Sequence, residues 1–205
     1  MITATRPMTI EEFDVLPNDG NRHELVRGRL RVMPPPKGDH GGIEAAVAEE
    51  LTRYLRERAL ARGWTPPQGR TARAAVVGYV GVGEVGLRFA VPDDPHQTRG
   101  ADLVYIPPEQ LAQVEWPQGE YFPAVPALVV EVVSKSDSAN DVNEKVQDYL
   151  SGGARRVWVI YPDQQAVHVH NADQPTRVLR GNESLTEEEL LPGFALPLNL
   201  IFNDQ

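Results

Sequence analysis

The run Ala127-Leu128-Val129-Val130-Glu131-Val132-Val133 restricts the fold more than any other stretch of the chain. Successive side chains of a strand point to opposite faces, and this run is apolar at both parities. A strand of that kind has to be covered on both sides, as in an α/β layer arrangement. Glu131 interrupts it. A buried carboxylate is strongly disfavoured unless it is paired, bound to a metal or neutralised. Glu131 therefore has a partner, for which Arg155 and Arg156 are candidates, or a chemical task.

The flanking sequence supplies the other layers. Thr9-Ile10-Glu11-Glu12 has the capping-box form and predicts a short helix through Phe13, stopped near Pro17. The segment His23 to Met33 reads as two short strands about an Arg27-Gly28 turn, ended by Pro34-Pro35-Pro36. From Gly42 to Arg62 the period becomes helical, with Ile43, Val47, Leu51 and Leu55 on one stripe and Gly63 as the stop. Residues 70–106 read as three strands, RTARAAVVGYV, VGLRFAV and ADLVYI, with Pro92 to Gly100 as a loop before the third. Residues 107–126 are proline-rich and irregular. Asp141 to Leu150 is helical, Arg155 to Pro162 is a buried strand, and AVHVH with TRVL forms a β pair. The closing LPGFALPLNLIF carries apolar residues to the core. The glycine-rich turn Gly81 to Gly86 is not followed by a helix, so it is no nucleotide-binding loop. This order predicts one α/β domain over residues 1–205, with a mixed central sheet flanked by helices.

Composition narrows the chemistry. The absence of cysteine excludes a disulfide framework, a thiolate zinc site and a cysteine nucleophile, and fits a reducing cytoplasm. No signal peptide is visible, and no stretch approaches the roughly 18 apolar residues of a membrane span. The net charge of −9 argues against broad nucleic-acid binding. A local basic groove, or metal ions at an acidic site, can override that sign.

Asp102 in ADLVYI is a second carboxylate within a strand-like run, 29 positions before Glu131. If the two strands are neighbours, both carboxylates reach one point. Close carboxylates repel, and a divalent cation between them removes that penalty. Hard oxygen ligands suit Mg²⁺ or Mn²⁺, which polarise phosphoryl oxygens and acidify water. Metal-dependent phosphodiester hydrolysis is the chemistry this points to. The plainer alternative for Asp102 is a loop cap or an arginine pair. His168 and His170 share a strand face without an acidic neighbour in sequence and read as surface residues.

In order along the chain, HELVRGRLRVMPPP, DHGGIEAAVAEEL, RGADLVYI, PALVVEVVSKSD, NEKVQDYLSGG, RRVWVIYP and LPGFALPLNLIF resemble the Uma-two family of restriction-endonuclease-like bacterial proteins, within the PD-(D/E)XK nuclease superfamily. The resemblance implies a restriction-endonuclease-like fold and metal-dependent cleavage of DNA. It places Asp102 and Glu131 as metal ligands and catalytic carboxylates. The superfamily lysine commonly lies two residues past the second acid, where this chain has Val133. The resemblance points instead to Lys145, on the following helix, whose plainer reading is an ion pair with Asp141 or Asp148. Ala101 stands where the motif usually has proline. Glu24 and His40 resemble recurrent family residues, His40 just ahead of the long helix. Ser134 follows the Glu131 strand and could support the site. A homodimer would suit cleavage of both strands of a duplex. The alternative is a nuclease-fold module that binds DNA or protein without cutting, consistent with the acidic charge and Val133.

Overall fold

The computed structural model describes residues 6–33, 38–65, 69–115 and 121–202. The proline stop at Pro34–Pro36 lies outside them. The chain opens with α1 (Ile10–Asp14), capped as expected: Thr9 accepts the Glu12 amide and Glu12 accepts the Thr9 amide. The hairpin β1 (Arg22–Val26) and β2 (Arg29–Met33) follows. Its Arg27 and Gly28 both have positive φ, the backbone twist that favours two-residue hairpin turns.

Helix α2 (Gly38–Ala61) begins earlier than its apolar stripe, so His40 lies inside it rather than ahead of it. The segment Gly69–Val77 is a helix, α3, and not the first of three strands. Its alanines and arginines favour helix, and its pattern fits either period. Strands β3 (Tyr79–Val91) and β4 (Asp94–Ile106) form one long hairpin. Two corrections follow. The Pro92 to Gly100 segment is mostly strand, and the glycine-rich stretch lies within β3. That stretch is kinked by a bulge between Val82 and Val85, where Gly83 and Glu84 have positive φ. A short α4 (Pro108–Leu111) precedes β5 (Leu128–Val132). Helix α5 (Ala139–Ser151), capped by Ser138, crosses to β6 (Arg156–Tyr161). Strands β7 (Ala166–His170), β8 (Arg177–Arg180), β9 (Ser184–Thr186) and β10 (Ala195–Pro197) follow, with α6 (Asn199–Phe202) closing the described chain.

The central sheet is mixed and six-stranded, in the order β3-β4-β5-β6-β7-β8. β5 and β6 are parallel, as the intervening helix requires, and the remaining neighbours are antiparallel. The parity of β5 sorts the core. Leu128, Val130 and Val132 pack with Leu103, Trp158 and the α2 stripe of Ile43, Val47, Leu51 and Leu55. Val129 packs on the other face with Val104, Val157, Val159 and the α5 residues Val142, Val146 and Tyr149. Leu191, Phe194, Leu196 and Leu198 complete the α2 side, as the apolar C-terminal segment predicts. The strand covered on both faces is thus present, and Glu131 shares the parity that faces α5.

Candidate active site

The two strand carboxylates meet. Leu103 pairs with Val130, so one step further along the antiparallel ladder sets Asp102 opposite Glu131. Both are buried, at 2% and 6% exposure. Asp102 Oδ2 also accepts the Val132 amide at 2.7 Å, which locks the end of β5 to β4.

Helix α5 answers Glu131. Lys145 Nζ donates to Glu131 Oε2 at 2.6 Å, and the Tyr149 hydroxyl donates to Oε1 at 2.7 Å. The cation beside Glu131 is therefore Lys145. Arg155 pairs with Glu109 at 3.4 Å, and Arg156 pairs with Glu187 and Glu189 at 3.0 and 2.5 Å. The helix partners considered for Lys145 are engaged elsewhere: Asp141 with Arg31 and Ser138, Asp148 with Arg27 and Arg99. Burial pushes the Glu131 carboxyl up to about 7; Lys145 opposes that shift and Asp102 adds to it. Burial alone would lower the Lys145 ammonium, but Glu131, Glu24 and Asp102 together hold it above its ordinary value and charged. A recess of about 20 Å³ opens beside Glu131 and Lys145, bounded by Asp137, Asp141 and Val142. That is room for one water-sized molecule.

Helix α2 answers Asp102. His40 and Glu44 are one turn apart, and His40 Nε2 lies 2.9 Å from Glu44 Oε1 and 3.1 Å from Asp102 Oδ2. Contact with Asp102 first, and with Glu44 second, pushes the imidazole up to about 10. Burial pushes the Asp102 carboxyl up, yet His40, Lys145 and the Val132 amide outweigh it and hold the group below its ordinary value. One ligand atom from each of His40, Glu44 and Asp102 lies within 4.8 Å of the other two. His40 Nε2 is buried, and despite these short distances it has the alignment of a hydrogen bond with neither carboxylate. A nitrogen and two carboxylate oxygens this close together have the ligand chemistry of a divalent-cation site, and an ion there would displace the imidazole proton that the two carboxylates hold.

A buried network braces this centre from the hairpin side. Glu24 Oε1 accepts the Gly100 amide at 2.9 Å, and Oε2 accepts Arg99 Nη1 at 3.1 Å. Arg99 also donates to Asp148, while Arg22 pairs with Glu84 at the β3 bulge. Gly100 makes the crowding possible: a Cβ there would lie 3.0 Å from Glu84 Oε2 and 3.1 Å from Arg22 Cδ. Its carbonyl lies 3.1 Å from the Tyr149 hydroxyl.

The structure therefore gathers Asp102, Glu131, Lys145 and His40 at one end of the β4–β5 pair, with Glu24 acting on Lys145 through its charge. Ser134 is not drawn in. Its hydroxyl meets that of Ser136 at 2.8 Å and its amide donates to Asp137 at 2.8 Å. Glu44, Tyr149 and Arg99 are additions. The spacing of Glu44 four residues after His40 was the available signal for the first. The tyrosine was concealed in the apolar stripe of α5, and the arginine in a polar stretch resembling a loop.

No curated protein matches the chain. Among solved structures, it is similar to a protein from Anabaena variabilis ATCC 29413 described as "a putative nuclease belonging to DUF820". The two align with a TM-score of 0.71 and 20% identity, covering 96% of this chain and 98% of that one, which establishes the shared fold. The family model described as "putative restriction endonuclease" matches residues 10–199, and the chain belongs to that family, Uma2.

Proposed function

We propose that the protein is a divalent-metal-dependent endonuclease that hydrolyses DNA phosphodiester bonds at the Asp102–Glu131 centre. The observation that carries this reading is the convergence on one sheet end of two buried carboxylates, a partly buried lysine and the His40–Glu44 pair. His40, Glu44 and Asp102 would hold the cation. Carboxylate oxygens accept Mg²⁺ or Mn²⁺, and the imidazole tilts the preference toward Mn²⁺. When bound, the cation supplies Lewis acidity toward a phosphoryl oxygen and acidifies water. Glu131, pushed up to about 7, has a proton affinity suited to a general base near neutral pH. It takes the proton from a water in the adjoining recess. Tyr149 fixes the carboxylate rotamer. The Lys145 ammonium, held charged, offsets negative charge building on the phosphate. Two copies acting together would cut both strands, and linear product without a build-up of nicked circle would report it.

A second reading is favoured by the register that opposes Asp102 and Glu131. In it Glu131 is itself a metal ligand. The variant Glu131→Gln separates the two: a base variant retains Mn²⁺ binding and loses cleavage, whereas a ligand variant loses both.

The test is cleavage of supercoiled DNA with Mg²⁺, Mn²⁺ or EDTA, by the wild type and Asp102→Asn. The expected result is metal-dependent cleavage that falls by about a hundredfold or more in Asp102→Asn while the melting profile is retained. Undiminished cleavage by the variant, or none by folded wild type with either metal, would refute the proposal.

A further inference from the structure

Away from the carboxylate centre the surface has a second concavity, of about 250 Å³, lined by Tyr54, Arg58, Arg62, Tyr105, Leu190 and Pro192 among others. It lies at the opposite end of the sheet, where Tyr105 pairs with Leu128. Along α2, Arg58 is 18 residues beyond His40, about 27 Å at about 1.5 Å per residue.

Its charge is unusual for an acidic chain. Among the described residues, Arg58 and Arg62 donate to backbone carbonyls, of Pro192 and Val76, each at 3.1 Å, and the Arg58 guanidinium also lies over the Tyr54 ring, 5.4 Å from its centre. Among the described residues neither has a carboxylate within ion-pair distance. The nearby acids are otherwise engaged: Glu109 with Arg155, Glu189 with Arg156, and Glu188 with the Gly193 amide. Both guanidiniums act through their charge on the hydroxyls of Tyr54 and Tyr105. The end of a helix attracts cations, but that does not account for their convergence on a cleft with tyrosine, leucine and proline walls.

We infer that this cleft binds a small phosphomonoester, its phosphate held by Arg58 and Arg62 and its apolar body against Tyr54, Leu190 and Pro192. Two uncompensated guanidiniums match the charge of a phosphate, about −1.5 to −2 at neutral pH, whereas a carboxylate would leave one unanswered. Arginine forks also suit the geometry of phosphate oxygens. The volume lies just below the range of drug-sized pockets, about 300–1,000 Å³, which fits a mononucleotide-sized ligand and not a duplex.

Calorimetry in EDTA with dAMP, deoxyadenosine and inorganic phosphate tests this. The expected result is saturable binding of dAMP, none of deoxyadenosine, and weaker binding of inorganic phosphate. Arg58→Gln and Arg62→Gln should each weaken dAMP by about tenfold or more, the loss of a charge-assisted hydrogen bond. Lys145→Gln should leave it unchanged. Four results would overturn the inference: no saturable dAMP binding at millimolar concentration; undiminished affinity in both arginine variants with unchanged circular dichroism; inorganic phosphate binding as tightly as dAMP; or loss of binding in Lys145→Gln, which would put the phosphate in the carboxylate centre beside the Lys145 ammonium and leave the nuclease proposal standing.

Discussion

Replacing Arg99 with methionine removes the cation on which the buried network beneath the site depends. The Arg99 side chain is fully enclosed; it hydrogen-bonds two carboxylates, Glu24 and Asp148, and lies 3.7 Å from a third, Glu144, which keeps Arg27 and Arg31 as partners. Asp148 keeps a second arginine, Arg27, at 2.8 Å. Glu24 keeps only the Gly100 amide among its described partners here. Breaking a buried ion pair from one side costs about 3–5 kcal/mol, because a charge is left without compensation. With Asp148 half-compensated, about 4 kcal/mol is the expected loss for Arg99→Met. In a chain of this length about 1 kcal/mol corresponds to about 2–4 °C, so the melting temperature should fall by about 8–16 °C. Urea unfolding gives the free energy directly, provided the m-value is unchanged. Adding Glu24→Gln removes the stranded charge and should restore about 1 kcal/mol or more. A loss under about 1 kcal/mol, or no recovery in the double variant, would refute this description of the network.

Other expectations follow from single contacts. Tyr149→Phe loses the hydroxyl on Glu131 and should cost about 1 kcal/mol in urea titration and slow cleavage; an unchanged midpoint and rate would remove Tyr149 from the site. Glu44→Ala should weaken Mn²⁺ binding by calorimetry without altering the circular dichroism, and unchanged affinity would show that Glu44 is no ligand. His168 and His170 are both held below the ordinary imidazole pKa, chiefly by burial. Their neutral forms are favoured in the fold, so this contribution to stability is present above about pH 6.5 and is lost as the pH falls through their folded values. Relative to wild type, the double variant His168→Gln/His170→Gln should lose less stability between about pH 7 and about pH 5. Parallel pH profiles would refute that.

The parts of the fold that were legible in the sequence are those where pattern and burial agree. Apolar residues at both parities of β5 dictated a doubly covered strand, and the α2 stripe and the Thr9 capping box fixed two helices. The stretch His96-Gln97-Thr98-Arg99-Gly100 misled because it is polar, the usual mark of a loop, yet Gln97, Thr98 and Arg99 are all buried in β4. Two of the three serve the hairpin: Thr98 accepts the Leu25 amide at 2.7 Å, and Arg99 holds Glu24, whereas the Gln97 side-chain amide has no hydrogen-bond partner among the described residues. Polar residues buried for one another's sake carry no periodicity that sequence reasoning can detect. The same limit applied to the site. Asp102 and Glu131 stood out as charges in apolar strands. Glu44 did not, because an acid on a mostly wet helix is ordinary until the helix end is seen to lie against Asp102.

The most direct test of the account is a crystal soaked in Mn²⁺ and measured for anomalous scattering. One strong peak is expected, bounded by His40 Nε2, Glu44 and Asp102. A peak at other carboxylates, such as Asp137 and Asp141, or none at saturating Mn²⁺, would contradict it.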